Sequence, residues 1–361
     1  MDTTLQGFSE QIAAAAAGAS LRIRGGGSKD WYGQDLHGTL LDTTAYRGIT
    51  DYEPTELVLT ARCGTPLAEI EAHLASHGQM LAFEPPHFGP KATLGGMVAA
   101  GLSGPRRQAA GSVRDFVLGA ALMNGRGELL RFGGKVMKNV AGYDVSRLLT
   151  GSLGIFGLIA EVSLKVLPKP VAELSLQLEM SQEEALRRLN EWGGQPLPIS
   201  ASSWAGGVLA VRLSGARSAV EAARARIGGD ALDGADAWWR DLREQDHAFF
   251  AEARQHPNGL WRLSLPSSAP PLSLPGRQLI EWGGAQRWLR IDADAGANAD
   301  AAAIRAAATA AGGHATLFRG GARDAGVFHP LAPAVRTIHK QLKEAFDPAG
   351  VFNRGRMYRE F

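Results

Sequence analysis

The 361-residue sequence predicts an α+β fold with two domains. The length exceeds one ordinary domain of roughly 100 to 200 residues. Of the 45 glycines, 25 lie in the first half, several of them in consecutive runs, which indicates backbone wrapped closely around something there. Pro168-Lys169-Pro170 interrupts a strand pattern. We therefore expect a first domain over residues 1–171, a second over 172–330, and a C-terminal segment over 331–361.

The first domain is predicted to have two lobes, about residues 1–60 and 61–171. A short helix opens the first lobe. Thr65-Pro66, an expected N-cap followed by the first helical residue, opens the second. The strands predicted for this domain are Leu21–Ile23, Leu57–Ala61, Phe116–Met123, Glu128–Phe132 and Leu158–Leu167.

The second domain is predicted to be an antiparallel sheet with helices on one face. Ser181-x-x-Glu184 is a capping box that opens a helix, and Gly206-Gly207 is typical of a hairpin. A last helix is expected over about Ala334–Phe346. The strands predicted for this domain are Leu174–Met180, Trp261–Leu265, Gln278–Trp282, Arg287–Ile291 and Ala315–Arg319.

Composition excludes several classes of function. An apolar share of 45% and a net charge of +2 are typical of a soluble globular protein. So small a net charge gives no strong electrostatic attraction to nucleic acid or to a membrane. The single cysteine, Cys63, excludes an iron-sulfur cluster built by this chain alone and is expected to be a small buried residue. The Ala13–Ala17 tract forms neither a signal peptide nor a membrane span, so we expect a cytoplasmic protein.

Four side-chain-poor segments are candidates for binding a ligand. In Arg24–Lys29, three glycines after a strand let consecutive N–H groups converge on an anion, although such a loop can also be a simple turn. In Thr93–Gly104, a helix starting at Gly95-Gly96 would offer free N–H donors to a pyrophosphate, or the small residues serve close packing. The other two segments are Gly111–Asp115 and Lys138–Glu161.

In this order, the four segments resemble the FAD-binding domain of the vanillyl-alcohol oxidase and p-cresol methylhydroxylase (PCMH-type) superfamily. Lys138-Asn139-Val140-Ala141-Gly142-Tyr143-Asp144 resembles its glycolate oxidase branch. Gly27–Gly33, Pro85–Phe88 and Gly313–Arg319 are similar to one flavin subunit of that branch. The resemblance implies a two-lobed PCMH-type domain, an α+β cap domain, and a C-terminal segment that returns to the flavin.

The resemblance also implies FAD held mainly by main-chain groups. Its attachment is expected to be non-covalent, because the first glycine loop contains no histidine. The expected cofactor-binding residues are Gly25, Gly26, Gly27, Ser28, Lys29, Pro86, Thr93, Leu94, Gly95, Gly96, Ala99, Gly101, Ser103, Gly104, Gly111, Ser112, Arg114, Asp115, Ser152, Gly154, Gly157, Ile159 and Asn353.

Candidate catalytic residues are His314 and Arg319. Imidazole titrates near neutral pH and guanidinium binds carboxylates, so the pair could face the flavin and handle a carboxylate or a proton. The alternative is that both are hydrogen-bonded packing residues. No metal site is expected, because the His-x-x-Gly-Asp-Gly-Asn-x-His-type cluster of the larger paralogous subunit does not occur here.

The resemblance implies an FAD-dependent oxidoreductase subunit that converts glycolate, a 2-hydroxy acid, to glyoxylate. The implied partners are a paralogous FAD subunit and an iron-sulfur subunit. Any membrane association is expected only through these partners, and no binding of nucleic acid is expected. Two alternatives stay open: a non-catalytic flavin-relay or assembly subunit, and a stand-alone aldonolactone or sugar-acid oxidase.

Overall fold

The computed structural model describes residues 2–134, 144–254, 259–291 and 301–361, without the side chains of residues 252–254. The chain forms two compact units. The first comprises Met1–Ser103, Gly111–Pro168 and Pro330–Phe361, and the second comprises Gly104–Ala110 and Lys169–His329. Residues 138–143 of the segment Lys138–Asp144 lie outside the described residues.

The elements from the N-terminus to residue 168 are α1 (Thr3–Ala15), β1 (Leu21–Arg24), β2 (Thr39–Asp42), β3 (Ile49–Glu53), β4 (Val58–Arg62), α2 (Leu67–Ser76), β5 (Gln79–Met80), α3 (Leu94–Ala100), α4 (Arg107–Ala110), α5 (Val113–Phe116), β6 (Val117–Met123), β7 (Leu129–Gly133), α6 (Val145–Leu148), β8 (Leu158–Lys165) and β9 (Leu167–Pro168).

The remaining elements are β10 (Ala172–Glu179), α7 (Gln182–Gly193), β11 (Ile199–Ala205), β12 (Val208–Gly215), α8 (Arg217–Ile227), β13 (Asp230–Ala231), α9 (Ala235–Glu244), α10 (Ala248–Arg254), β14 (Leu260–Ser264), β15 (Arg277–Glu281), a 3-10 turn (Trp282–Gly284), β16 (Gln286–Arg290), α11 (Ala301–Ala310), β17 (His314–Arg319) and α12 (Pro333–Phe346).

The first unit contains a five-stranded antiparallel sheet in the order β3-β4-β8-β6-β7. Strands β1 and β2 form a separate parallel pair, and β5 pairs with β9. Its core joins one face of α1, including Phe8 and Ile12, to Val351 and Phe352 near the C-terminus. The C-terminal segment is therefore part of the core of this unit.

The second unit is an eight-stranded antiparallel sheet in the order β13-β10-β12-β11-β15-β16-β14-β17. Leu189 of α7 and Val220 of α8 pack with β10 and β12 in one apolar cluster. Ile304 and Ala308 of α11 pack with β14, β16 and β17 in another. This arrangement confirms the predicted α+β class.

Most predicted elements are confirmed, with shifts of one or two residues at their ends. Ser181 caps α7 as expected, because its hydroxyl accepts the Glu184 N–H at 3.2 Å. The prediction that Thr65 is the N-cap of α2 is wrong. Pro66 occupies that position, and the Thr65 hydroxyl instead donates to the carbonyl oxygen of Arg62 at 2.7 Å.

None of the helices in the described ranges is both long enough and apolar enough to cross a bilayer.

Candidate functional site

Two adjoining cavities in the first unit form the candidate site. The segments that line them are β1, the loop after it, the first turns of α3, the loop that precedes β8, and the C-terminal segment. The residues that line both cavities are Ile23, Gly25, Gly96, Ala99, Leu153 and Asn353. Segments distant in the sequence therefore converge on one place.

The loop after β1 is held against the segment that precedes α3. A Cβ atom added at Gly25 would lie 2.2 Å from Thr93 Oγ1, and one at Gly26 would lie 1.4 Å from the carbonyl oxygen of Lys91. Gly27 has φ +73°, a conformation that L side chains rarely adopt. The packing and the backbone conformation of the protein thus require these glycines, independently of any ligand.

The main-chain donors of this loop remain available to a ligand. Among the described residues, no acceptor is found for the N–H groups of Gly25, Gly26, Gly27 and Ser28. Consecutive backbone N–H groups of this kind form an anion-binding concavity. The loop can therefore bind an anionic group without using side chains.

The start of α3 differs from the sequence interpretation. The Leu94 N–H donates to the carbonyl oxygen of Thr65 at 2.9 Å, and the Gly95 N–H donates to that of Cys63 at 2.8 Å. The Gly96 N–H is capped by Thr93 Oγ1 at 3.4 Å. The expectation that this helix start offers free N–H donors is wrong, because contacts with the loop after β4 and the N-cap already use them.

Charged side chains around the larger cavity favour an anion. The described residues that line it include three cations, Arg24, Lys29 and Arg356, and one carboxylate, Asp30. Arg24 Nε lies 2.7 Å from Asp30 Oδ2. The buried Arg356 guanidinium donates to the carbonyl oxygens of Asp30 at 2.8 Å, Lys29 at 3.4 Å and Gln34. An excess of two positive charges beside unpaired amides suits a diphosphate.

Asn353 joins three of the converging segments. Its Oδ1 accepts the Ile23 N–H at 2.8 Å, and its Nδ2 donates to the carbonyl oxygen of Leu153 at 2.6 Å. A Cβ atom at Gly154 would lie 2.8 Å from Asn353 Nδ2, so glycine is required there. Asn353 itself has φ +42°. Its amide therefore fixes the shape of the cavity wall.

A buried ion pair holds the C-terminal segment in place. Lys343 Nζ lies 2.7 Å from Asp347 Oδ2 and donates to the carbonyl oxygens of Ile155 at 2.7 Å and Phe352 at 2.8 Å. Burial lowers the pKa of Lys343, and the Asp347 carboxylate opposes that shift. The Asp347 oxygens also accept the N–H groups of Val351 and Phe352, each at 2.8 Å.

Comparisons with known proteins agree with this geometry. A family model described as FAD binding domain matches residues 10–133. Over 356 residues the chain is 51% identical to the glycolate oxidase subunit GlcE of Escherichia coli (strain K12), covering 98% of this chain and 97% of the relative. The chain belongs to the GlcE family of glycolate oxidase subunits. It is an FAD-binding protein, and the unpaired amides and positive charge described above fit that cofactor.

Two further comparisons, one of sequence and one of structure, show more distant similarity to this GlcE-family chain. The glycolate oxidase subunit GlcD of Bacillus subtilis (strain 168) is 39% identical over 84 residues, which are 23% of this chain and 18% of the relative. A solved structure of alkyldihydroxyacetonephosphate synthase superposes with a TM-score of 0.66 at 14% identity, covering 98% of this chain and 75% of that one. The second likeness supports the PCMH-type fold alone.

The structure brings together part of the predicted FAD site. The predicted residues that line the two cavities are Gly25, Gly26, Gly27, Ser28, Lys29, Thr93, Gly95, Gly96, Ala99, Gly154, Gly157, Ile159 and Asn353. Those that do not line these two cavities are Pro86, Leu94, Gly101, Ser103, Gly104, Gly111, Ser112, Arg114, Asp115 and Ser152.

Several residues of the second group have structural contacts instead. Ser112 and Asp115 form the capping box of α5. Ser103 Oγ accepts the Val113 N–H at 3.1 Å, and Gly101 ends α3 with φ +64°. Gly104 belongs to the second compact unit, where its carbonyl oxygen accepts the Trp282 Nε1–H at 3.0 Å.

The sequence interpretation missed some residues that line the site. Arg24 lies in the first glycine segment and Arg356 in the predicted C-terminal segment, but no local pattern indicated that their side chains meet the same loop. Leu153 has φ +50°, which the sequence gives no means of predicting. Cys63 is buried as expected and also lines the smaller cavity, where burial raises its pKa to about 12.

His314 and Arg319 are not brought together. They occupy the two ends of β17, where His314 pairs with Ser264 and Arg319 with Leu260. Because the pairing of β17 with β14 shifts register between Leu260 and Trp261, the two Cα atoms lie roughly 13–17 Å apart. Desolvation, with the charges of Arg262 and His329, lowers the pKa of His314. Neither residue lines the two cavities of the candidate site, so their catalytic role stays a prediction.

In the described part of the chain, no group of three or more His, Cys, Asp or Glu side chains is arranged to hold a metal ion.

Proposed function

We propose that this chain is the FAD-binding subunit of a glycolate-oxidising dehydrogenase, which converts glycolate to glyoxylate. The observation that carries this proposal is the 51% identity to a glycolate oxidase subunit along almost the whole of both chains. The cavity with unpaired amides and excess positive charge supports it. When bound, FAD supplies the redox chemistry by taking up the two electrons that leave the CH–OH carbon.

The chain's own residues position and hold that cofactor. In this proposal the N–H groups of Gly25 to Ser28 bind the diphosphate, and Arg24, Lys29 and Arg356 supply positive charge; the unpaired amides and the lining of the cavity support it. Attachment is non-covalent in this proposal. The described residues that line the two cavities include no histidine, the side chain expected to carry such a bond.

The electrons are proposed to leave through a partner iron-sulfur subunit. Cys63 is the single cysteine of the chain, and it is buried, so this chain cannot supply the thiolates of a cluster alone. A paralogous flavin subunit is the second proposed partner, in line with the local similarity to GlcD. We place the assembled enzyme in the cytoplasm.

The alternatives have less support. A stand-alone sugar-acid oxidase does not account for a full-length match to a protein named as a subunit of glycolate oxidase. An assembly or relay subunit would show the same sequence match. Its flavin would not need to be reduced by glycolate when the chain is alone.

The test adds glycolate to the purified, FAD-loaded chain without oxygen and follows the oxidised flavin absorption band. Bleaching with glycolate but not with acetate, which lacks the hydroxyl group, is expected if the chain carries a complete site. If glycolate bleaches the band only after the paralogous subunit is added, the relay alternative is favoured. If gluconolactone or a sugar acid bleaches it and glycolate does not, the proposal is wrong.

A further inference from the structure

Two histidines lie one helical turn apart at the end of α2. His73 belongs to the helix, and His77 is its C-cap residue. Their ring centroids are 5.0 Å apart, and the ring planes are tilted by 48°. Two imidazoles that bind one zinc ion, each through a nitrogen at about 2.1 Å, have centroids roughly 5 Å apart. Histidines at positions i and i+4 of a helix bind zinc from one face in this way. The pair therefore has the separation that a shared metal ion requires.

The outer imidazole, that of His77, presents a free ring nitrogen. Its Nδ1 lies 3.0 Å from the carbonyl oxygen of His73 and 3.1 Å from Ser76 Oγ. Because a carbonyl oxygen only accepts, His77 Nδ1 carries the proton, and the lone pair of the neutral ring is on Nε2. The side chain is exposed. Histidines that bind metals almost always donate their other ring N–H to a carbonyl or carboxylate, as His77 does.

The inner imidazole, that of His73, has a buried nitrogen without a hydrogen bond. His73 is half-buried, and its Nε2 has no hydrogen-bond partner among the described residues. A buried polar atom without a partner destabilises a protein, because it has lost its bonds to water. A metal ion bound to this nitrogen would remove that cost.

The ring of Tyr52 holds both imidazoles from the side. Its centroid lies 4.7 Å from that of His73 and 5.0 Å from that of His77, with interplanar angles of 73° and 72°. The Tyr52 hydroxyl donates to Gln79 Oε1 at 2.9 Å, and Gln79 Nε2 donates to the carbonyl oxygen of Pro54 at 2.9 Å. These contacts position the rings before an ion binds, which reduces the entropy lost on binding.

The end of a helix also favours a cation at this place. α2 covers the ten residues Leu67–Ser76, and its aligned peptide dipoles give partial negative charge at the C-terminal end. Both imidazoles lie at that end. A dication bound by them is therefore attracted by the helix as well as by the two nitrogens.

We propose that His73 and His77 chelate one divalent ion of the late transition metals, such as Zn²⁺. Imidazole suits zinc, copper and nickel, whereas Mg²⁺ and Ca²⁺ prefer oxygen ligands. The two histidines supply two ligands, and water completes the coordination on the exposed side of His77. Neither histidine lines the cavities of the candidate FAD site, so this site is independent of the proposed redox function.

Titration calorimetry with zinc chloride on the untagged, FAD-loaded full-length chain tests the proposal. Zn²⁺ is expected to bind, and Mg²⁺ is not. His77→Asn should weaken zinc binding at least about tenfold, because one of two nitrogen ligands is lost. That side chain is exposed, so the variant is expected to fold. Zn²⁺ should also raise the urea concentration at the unfolding midpoint of the parent chain, and should raise it less in His77→Asn.

His37→Asn is the matched control, because His37 is an exposed histidine of the same unit that lies outside α2. It should bind zinc as the parent chain does, and both variants should keep the parent's flavin content. The proposal is overturned if Zn²⁺ does not bind, if His77→Asn binds it as tightly as the parent, or if His37→Asn loses as much affinity. Equally tight binding of Mg²⁺ would overturn the assignment to imidazole ligands.

Discussion

At the scale of single residues, the glycines of the first loop are required by packing within the protein, in addition to any role in ligand binding. Gly26 faces the carbonyl oxygen of Lys91 so closely that any side chain would displace one of the two segments. Replacing Gly26 would therefore disturb the fold and the cofactor site together. A residue that lines the cavity with open space beside it is a better probe, and Ala99 is such a position.

We predict that Ala99→Glu strongly reduces flavin occupancy. The longer side chain enters the space shared by both cavities and places a negative charge beside a diphosphate. Flavin content per polypeptide, read from the absorption spectrum after gel filtration, measures the effect. Ala75→Glu on the exposed face of α2 is the control and should retain full occupancy. Full occupancy in Ala99→Glu would contradict the placement of FAD.

We also predict that Arg356→Gln weakens FAD binding by about tenfold and lowers the free energy of unfolding by about 1–3 kcal/mol. The change removes a buried cation and leaves the carbonyl oxygens of Asp30 and Gln34 without their donor. Flavin titration at two salt concentrations and urea unfolding measure the two effects. Arg359→Gln, at an exposed position of the same tail, should change neither.

At the scale of elements, α12 is attached mainly through its last turn. Lys343 is the one residue of this helix that is buried, and it contacts Asp347 together with the carbonyl oxygens of Ile155 and Phe352. Since Asn353 and Arg356 follow shortly after, this ion pair fixes the position of two residues that line the site. The tail's contribution to cofactor binding thus depends on one buried charge pair.

We predict that Lys343→Met lowers the free energy of unfolding by about 3–5 kcal/mol, because it leaves the Asp347 carboxylate buried without a counterion. Urea unfolding measures the loss, and proteolysis should cut the C-terminal segment sooner. Lys340→Met, which removes an exposed cation 3.9 Å from Glu344 on the same helix, should change stability by less than about 0.5 kcal/mol. Equal effects in the two variants would refute the role given to the ion pair.

At the scale of the whole molecule, three histidines of the second unit contribute to the pH dependence of stability in the same direction. In the second unit, His247, His314 and His329 have pKa values lowered from 6.5, with desolvation as the first cause in each. At pH values between the lowered pKa values and 6.5, the unfolded chain binds more protons than the folded chain. Stability from these groups is therefore complete above about pH 6.5 and is lost as the pH falls.

We predict that the urea concentration at the unfolding midpoint of the second unit decreases when the pH is lowered from about 7.5 to about 5.5. Tryptophan fluorescence follows that unit, because Trp192, Trp239, Trp261 and Trp288 are buried in it. His247→Gln should flatten the dependence, whereas replacing the exposed His37 should not. A midpoint that rises on acidification would contradict the direction of these pKa shifts.

The fold was largely predictable where the pattern of apolar residues is local. The buried run of β6 and the alternation in β8 predicted both strands. Strands β2 and β3 were missed, because Thr39–Asp42 and Ile49–Glu53 are short and mostly polar, and pairing with β1 and β4 makes them strands. Helices α9 and α10 were also missed.

The sequence by itself determined the glycine-rich segments, the single cysteine and the resemblance from which FAD and glycolate oxidation follow. Only the tertiary structure decided which amides are left unpaired: those of Gly25 to Ser28, and not those that begin α3. It likewise decided that Arg356 meets the first loop and that Lys343 binds the carbonyl oxygen of Ile155. The physical reason is that the partners of these groups lie far away in the chain, and only packing brings them within hydrogen-bonding distance.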